Sequence, residues 1–180
     1  MVGEIRDADT LQTATSASLT GHLVLSTLHT KSAADTLDRI INMGLKPYIL
    51  ASALDTIIAQ RLVRRICPHC KVEKEKTPEE IGILGAMMEE TGMKGIPVEN
   101  IKLYEGEGCA KCNHSGYKGR LGIYEIITLN GKLRDLIRSG AGVEDIIAEA
   151  RNGDLITMKE DGVLKAIKGH TTIEEILRVV

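Results

Sequence analysis

The first part of the chain alternates between helix-like and strand-like patterns. A run of small residues from Asp9 to Leu19 has an acidic residue at its start and Gly21 shortly after its end, which predicts a closely packed helix. The apolar run Leu23–Leu28 predicts a strand buried on both faces, as in a parallel sheet covered by helices. Only two apolar residues precede Gly3, fewer than the roughly five of a normal strand. We therefore expect part of the fold to precede this sequence.

Two helices are predicted next. Ser32 is a capping residue for a helix whose apolar positions follow the spacing of one buried face and which ends at Gly44. Pro47 begins another helix, with an apolar face that we extend through Ile58. Strands that alternate with helices predict an α/β fold.

The composition changes at Cys67, and a charged stretch, KVEKEK, follows. Thr77 and Glu80 have the spacing of a capping box and predict a helix that ends near Gly92. Strands are predicted in the segments IKLYE and RLGIYEIIT. Helices are predicted around Leu133–Ile137, Val143–Ala150, Met158–Lys168 and Ile173–Val180.

The last two helix starts carry the capping-box spacing again. Thr157 is followed by Glu160 three residues later, and Thr172 by Glu175. These two starts are therefore better supported by the sequence than the others near the C-terminus.

All four cysteines lie in two CxxC pairs, Cys67 with Cys70 and Cys109 with Cys112. Each pair presents two thiolates from one tight turn, and two such turns that face each other form a tetrahedral sulfur site. Glycines around the second pair allow backbone amides to point toward the sulfurs, which stabilises metal-bound thiolates. The spacing predicts a structural metal site that closes the long loop between the pairs.

Zinc is the metal that we favour, because a closed structural site suits it and no electron-transfer partner is suggested; iron stays an alternative. Two disulfides, or four unrelated buried cysteines, would require an oxidising compartment or a coincidence of spacing. His69 and His114 lie beside the cysteines, but four thiolates leave them no ligand position.

Glu4 and His29 each follow an apolar run, and in open α/β sheets ligands bind beyond the carboxyl ends of the strands. In a parallel sheet the two side chains would lie at the same edge and face one ligand. Taken alone, the residue types favour a different interpretation, an exposed ion pair at Glu4 and a structural histidine.

Five stretches of the sequence carry a resemblance to a known family. They are MVGEIRD, TGHLVLSTLHT, QRLVRRICPHC, GCAKCNHSGYKGRLGIYEI and MKEDGVLKAIKGHTTIEEILRVV, and they are distributed from the first residue to the last, so the resemblance extends over nearly the whole chain. The first two resemble the Walker-B segment and the histidine box of the secretion-superfamily ATPases that drive type II secretion and type IV pilus assembly. The paired cysteines favour the assembly and secretion branches over the pilus-retraction branch, which lacks this metal module.

The resemblance implies roles for the N-terminal residues. In this family a glycine, here Gly3, replaces the usual Walker-B aspartate, and the next glutamate, here Glu4, acts on the attacking water. Arg6 is a candidate to reach the nucleotide, but pairing with Asp7 or Asp9 is the interpretation that we favour.

The histidine box of the family corresponds to His22 and His29. Seven residues of strand span about 23 Å, so both histidines cannot contact one phosphate from a straight strand. We therefore favour His29 as the partner of Glu4, whereas His22 is assigned from the resemblance alone.

The resemblance also implies a domain organisation. It implies a truncated RecA-like P-loop ATPase core, with a parallel sheet flanked by helices, in residues 1–66. A four-cysteine zinc module occupies residues 67–119, and a strand with a C-terminal helical bundle occupies residues 120–180.

No GxxxxGK[ST] loop occurs in the 180 residues, and that loop holds the phosphates and Mg²⁺ in P-loop enzymes. We therefore expect a fragment that does not hydrolyse ATP alone, although ATP and Mg²⁺ are implied for the full-length enzyme. The resemblance further implies a homo-hexamer in the cytoplasm that associates with the inner membrane through secretion or pilus platform proteins.

Composition bears on the competing functions. The formal net charge is -2 with both signs interspersed, which lacks the basic footprint of a nucleic-acid or anionic-membrane binder. The chain has no Phe and no Trp, so a zinc-ribbon nucleic-acid binder is disfavoured. No apolar run reaches the roughly 18 residues of a membrane span. The alternative to the motor is a non-catalytic, zinc-stabilised interaction module that docks on a membrane-anchored platform.

Overall fold

The computed structural model describes residues 1–92, 97–153 and 155–180. Contacts divide the chain into two compact units, each made of two separate stretches of sequence. The first unit contains residues 1–59 and 125–155, and the second contains residues 60–124 and 156–180. Both units mix helices with extended chain, as the α/β prediction requires.

The helices and strands of the described residues are named in chain order. The helices are α1 (Ala8–Leu19), α2 (Ala33–Asn42), α3 (Pro47–Ala53), α4 (Pro78–Thr91), α5 (Gly131–Ser139), α6 (Val143–Arg151), α7 (Met158–Ile167) and α8 (Ile173–Leu177). The strands are β1 (Thr56–Ile66), β2 (Lys71–Lys74), β3 (Leu103–Gly106) and β4 (Tyr117–Thr128). Strand β1 pairs with β4, and β2 pairs with β3 in antiparallel register. No helix in the described part of the chain combines the length and apolarity that crossing a bilayer requires.

Side-chain caps fix most helix starts. Asp7 accepts from the Thr10 N–H at 2.8 Å and begins α1, and Ser32 accepts from the Asp35 N–H at 3.0 Å and begins α2. Both predicted capping boxes that open α4 and α7 are present. A capping box satisfies two backbone donors reciprocally, which explains why local spacing predicted these starts correctly.

The helix predicted from Pro47 through Ile58 is wrong in its second half. Helix α3 ends at Ala53, and the chain then enters strand β1 at Thr56. Three consecutive β-branched residues begin this strand, and their restricted χ1 angles favour extended backbone over helix.

The core of the first unit joins α1, α2 and α3 to helices from much later in the sequence. Its most buried side chains include Leu37, Leu50, Ile57, Ile127, Leu133, Ile137 and Ile146. Arg134 on α5 donates hydrogen bonds to the carbonyls of Ala51 and Leu54 and to the carboxylate of Asp55. These bonds satisfy carbonyl groups at the end of α3 that the helix itself leaves without a donor.

The predicted strand Leu23–Leu28 is not a regular strand, and it is not buried on both faces. The Leu23 side chain is 86% exposed and that of Leu25 is 59% exposed, whereas Val24 packs against the core of the first unit. The Val2 N–H donates to the Leu25 carbonyl at 2.9 Å. The segment thus has one packed side and one open side within the described residues, which the apolar run alone could not indicate.

The second unit has a core of its own around α4, α7 and α8. Its buried side chains include Leu84, Met87, Met88, Ile101, Leu103, Val163, Ala166 and Ile176. Of the four C-terminal helices, α5 and α6 pack in the first unit, and α7 and α8 pack in the second.

A buried carboxylate joins α8 to β1 inside the second unit. The Glu175 side chain is 2% exposed and accepts from the Arg64 N–H at 2.8 Å, from the Arg64 guanidinium at 2.6 Å and from Arg178 at 2.9 Å. The Arg64 guanidinium also lies 4.1 Å from the ring centre of Tyr117. Burial raises the pKa of Glu175, but hydrogen bonds from Arg178 and Arg64 outweigh it and lower this pKa from 4.5 to about 2.

Replacing Glu175 with glutamine is expected to destabilise the second unit by about 3 kcal/mol. The neutral amide loses the charge-assisted hydrogen bonds that Arg178 and Arg64 donate to the buried carboxylate. Since the folded-state pKa is depressed, this contribution is complete above about pH 5 and is lost as the pH falls from about 4.5 toward 2. Amide hydrogen exchange of β1 and α8 as a function of pH measures both effects. The control Glu174→Gln alters an exposed neighbour and should change stability by less than about 0.5 kcal/mol. Equal effects of the two variants would contradict the role of Glu175.

Candidate functional site

The four cysteines converge on one point of the second unit. The sulfur atoms of Cys67 and Cys109 are 4.0 Å apart, those of Cys70 and Cys112 are 3.8 Å apart, and those of Cys109 and Cys112 are 3.7 Å apart. All four sulfurs lie within 4.8 Å of one another. A tetrahedral zinc site with Zn–S bonds of about 2.3 Å places its sulfurs about 3.8 Å apart, so the donor set fits zinc.

The backbone around the cysteines brings the two turns together. The Cys67 N–H donates to the Gly116 carbonyl at 2.9 Å, and the Glu107 N–H donates to the Cys70 carbonyl at 3.0 Å. Gly106 and Gly116 approach so closely that a Cβ on either would overlap the backbone of the other. Glycine is therefore required at both positions for the two turns to face each other.

Backbone hydrogen-bond donors lower the pKa values of the thiols, and burial raises them. The Cys109 N–H donates to the Cys112 sulfur at 3.1 Å, and this bond is the main cause that lowers the pKa of Cys112 to about 6. Burial raises the pKa of Cys70 to about 12. Four thiolates at this spacing would repel one another, and a divalent cation offsets that repulsion.

The disulfide alternative does not match the structure, in which the four thiols are free and the sulfurs of Cys109 and Cys112 are 3.7 Å apart, against about 2.0 Å for a disulfide. His69 and His114 are exposed, and the cluster comprises the four cysteines alone in the part of the chain that the structure describes. Within these residues the four cysteines are thus a group that could hold a metal ion.

A second cluster of polar side chains lies at the start of the first unit. The Glu4 carboxylate is 3.1 Å from His29 Nε2 and 2.7 Å from the Arg6 guanidinium. The Glu4 side chain is 20% exposed, while those of His29 and Arg6 are 82% and 76% exposed. The structure thus brings together two side chains that lie 25 positions apart, with their polar atoms open to solvent.

The other predicted residues of this cluster have different surroundings. Arg6 pairs with Glu4, so the favoured pairing with Asp7 or Asp9 is wrong; the Asp7 carboxylate instead caps α1. His22 follows the end of α1, where its Nδ1 is 3.1 Å from the Thr20 hydroxyl.

Thr27 and Glu125 make hydrogen bonds near this cluster and near the start of α2, and neither residue was predicted. The Thr27 hydroxyl donates to the Gly3 carbonyl at 2.8 Å. The Glu125 carboxylate accepts from the Ala33 N–H at 2.9 Å, at the start of α2. Thr27 lies inside the quoted histidine-box segment, but Glu125 is 92 positions from its partner, and no local spacing indicates that contact.

Comparisons with known proteins agree with these sequence features. The family model described as "Type II/IV secretion system protein" matches residues 1–178. The chain is 44% identical over 177 residues to the type IV pilus assembly ATPase PilB of Thermus thermophilus, covering 98% of this chain and 19% of that protein. It is 41% identical over 179 residues to the type II secretion system protein E of Pseudomonas aeruginosa, covering 99% of this chain and 34% of that protein.

Solved structures show a similar fold at lower sequence identity. The Legionella pneumophila ATPase DotB matches with a TM-score of 0.63 and 20% identity, covering 99% of this chain and 37% of that chain. The pilus retraction motor PilT with bound ADP matches with a TM-score of 0.62 and 24% identity, covering 99% of this chain and 39% of that chain.

The chain spans between about a fifth and a third of the length of these two curated relatives. The matched range, residues 1–178, includes the cysteine cluster and the segments that hold Glu4 and His29. The chain therefore belongs to the family of type II/IV secretion system proteins.

Proposed function

We propose that this chain is the C-terminal part of a motor ATPase that couples ATP hydrolysis to type II protein secretion or type IV pilus assembly. The observation that carries the proposal is the Glu4 carboxylate held 3.1 Å from His29 Nε2, within the segments that resemble the Walker-B strand and the histidine box. The identity of 41–44% to a secretion protein E and a pilus assembly ATPase supports it.

Glu4 acts on the attacking water in this proposal. One carboxylate oxygen of Glu4 contacts His29 Nε2, and the other contacts the Arg6 guanidinium. A contact on each oxygen restrains the orientation of the carboxylate plane. Gly3 leaves the space beside Glu4 free of a side chain, since a Cβ there would meet no atom within 4 Å. Arg6 and His29 are exposed, and their free donors are available to an anionic nucleotide.

A RecA-like core is the fold that we propose around this site. Two hydrogen bonds support a parallel arrangement: Val2 N–H donates to the Leu25 carbonyl, and Ile5 N–H donates to the Thr27 carbonyl, each at 2.9 Å. Residue numbers rise together along both segments, so the segments run in the same direction. The exposed side of Leu23 and Leu25 is where further elements of such a core would pack.

The remaining assignments follow from the family. Residues 1–66 belong to the ATPase core, 67–119 to a zinc module and 120–180 to a C-terminal extension. In this proposal ATP and Mg²⁺ would be held by a phosphate-binding loop in an upstream part of the protein. ATP would supply the γ-phosphate, and Mg²⁺ would neutralise its charge. The active form is a cytoplasmic homo-hexamer that reaches the inner membrane through platform proteins.

A chimeric enzyme tests this function. The part of the Pseudomonas secretion protein E that precedes the matched region is fused to this chain, and ATP hydrolysis is measured. We expect the chimera to hydrolyse ATP and the 180-residue chain alone to show no hydrolysis above background, because its sequence contains no GxxxxGK[ST] loop. Robust hydrolysis by the isolated chain would contradict the assignment of phosphate binding to an upstream loop.

The non-catalytic interaction module is the second candidate, and the closed tetracysteine cluster is the observation that favours it. A cluster with all four positions filled by thiolates has a structural role and provides no open position for chemistry. A chimera that folds and binds nucleotide but does not hydrolyse it would favour this second candidate over the motor.

A further inference from the structure

One threonine binds the peptide groups on both sides of Glu4. The Thr27 hydroxyl donates to the Gly3 carbonyl at 2.8 Å, which belongs to the peptide unit before Glu4. The Thr27 carbonyl accepts from the Ile5 N–H at 2.9 Å, which belongs to the peptide unit after Glu4. The backbone on each side of the Glu4 Cα is therefore tied to a single residue.

The residues on either side of Glu4 differ in how their backbone is held in place. Ile5 is 5% exposed and packs in the core of the first unit, so the backbone after Glu4 is anchored. On the other side, a Cβ on Gly3 would meet no atom within 4 Å, and its carbonyl is the group that Thr27 holds. Val2 packs against the same core and donates its N–H to the Leu25 carbonyl, and the Thr27 bond is the contact that holds the Gly3 carbonyl itself.

We propose that Thr27 is a positioning residue that orients the Glu4 carboxylate toward the attacking water, an inference that rests on the proposed function. His29 lies two residues after Thr27 on the same segment and contacts the same carboxylate. Together with the Val2–Leu25 hydrogen bond, Thr27 thus defines the register between the segment that carries Glu4 and the segment that carries His29. An error of about 1 Å in the position of a catalytic group costs up to about 100-fold in rate, so a restraint of this kind affects turnover.

The side-chain bond can be removed without a change in shape. Thr27 is exposed, and Thr27→Val replaces the hydroxyl by a methyl group of similar size with the same branching at Cβ. The carbonyl bond to Ile5 persists in this variant, so the fold is expected to stay intact. Thr27→Ser restores the hydroxyl and serves as the rescue variant.

Thr13 provides a matched control. It is also exposed, and its hydroxyl also donates to a backbone carbonyl, that of Asp9, at 2.9 Å. Thr13→Val therefore removes a bond of the same kind within α1, away from Glu4.

Two measurements test the proposal. In the 180-residue chain, Thr27→Val should raise the amide hydrogen exchange rate of Ile5 about 3- to 10-fold, the range expected for one neutral hydrogen bond, whereas Thr13→Val should leave it unchanged. In the active chimera, Thr27→Val should lower kcat about 3- to 10-fold with KM unchanged, and Thr27→Ser should return kcat to within about twofold of the parent.

The outcomes separate this inference from the proposed function. A chimera inactivated by Glu4→Gln but fully active with Thr27→Val would overturn the positioning role and leave the function in place. A chimera indifferent to Glu4→Gln would overturn both. Unchanged exchange of Ile5 in the Thr27→Val chain would overturn the positioning role without any activity measurement.

Discussion

Replacing Glu4 with glutamine in the chimeric enzyme is expected to lower kcat by about 100- to 10,000-fold, the range that a positioned general base contributes. Glutamine keeps the size and polarity of the side chain but cannot accept the proton of the attacking water. The affinity for nucleotide should change by less than about threefold, because phosphates are bound chiefly by the upstream loop. A steady-state ATPase assay and a fluorescent-nucleotide titration measure the two quantities.

A control variant and the two histidines sharpen this test. Glu144→Gln alters an exposed glutamate in the first turn of α6 and should leave kcat within about twofold. His29→Ala should slow hydrolysis more than His22→Ala, because His29 contacts the Glu4 carboxylate while His22 contacts Thr20 at the end of α1. An enzyme that tolerates Glu4→Gln, or that depends more strongly on His22, would show that the chemistry lies with other residues.

Metal analysis of the purified chain is expected to give about one zinc per chain. Removal of the metal should loosen the segments 67–74 and 103–117, because the shared sulfur site joins the two turns in addition to their backbone hydrogen bonds and the β2–β3 pairing. Structural zinc contributes about 10–16 kcal/mol of apparent binding free energy in zinc-finger peptides, so the effect on these segments is large. Hydrogen exchange before and after chelation should show opening there first, while α5 and α6 in the first unit keep their protection.

Single substitutions distinguish the clustered cysteines from their neighbours. Cys112→Ser removes a buried cysteine of the cluster and should reproduce the effect of chelation, whereas His69→Ala alters an exposed residue between Cys67 and Cys70 and should have no effect on zinc content. Metal-free protein with two disulfides, or full protection of both segments after chelation, would contradict a structural metal site.

Local spacing in the sequence predicted the features that depend on local hydrogen bonds. The capping boxes at Thr77 and Thr157 each satisfy backbone donors three residues away, so the residue types at that spacing specify the helix start. The closeness of the two thiols within each CxxC pair was predicted for the same reason, since each pair lies within one turn.

Features that depend on distant parts of the chain were missed. Thr172 caps α8 as predicted, but the Glu175 side chain binds Arg64 instead of completing the capping box. The partners are 111 positions apart, and no local pattern relates them. Strand β1 was predicted in part as helix because Leu54, Ile57 and Ile58 also fit a helical face. The β-branched residues at its start favour the extended conformation, and pairing with β4 stabilises it.

The division of each unit between two separate stretches has a consequence for synthesis on the ribosome. Helices α1, α2 and α3 are made first, but the core that covers them needs Leu133 and Ile146, which follow the whole first stretch of the second unit. Translation proceeds at about 5–20 residues per second, so residues 60–124 take about 3 to 13 s to make. During that interval α3 lacks its partner α5 and α2 lacks its partner α6, so apolar side chains of both helices are exposed on the nascent chain and we expect them to be sites where chaperones bind.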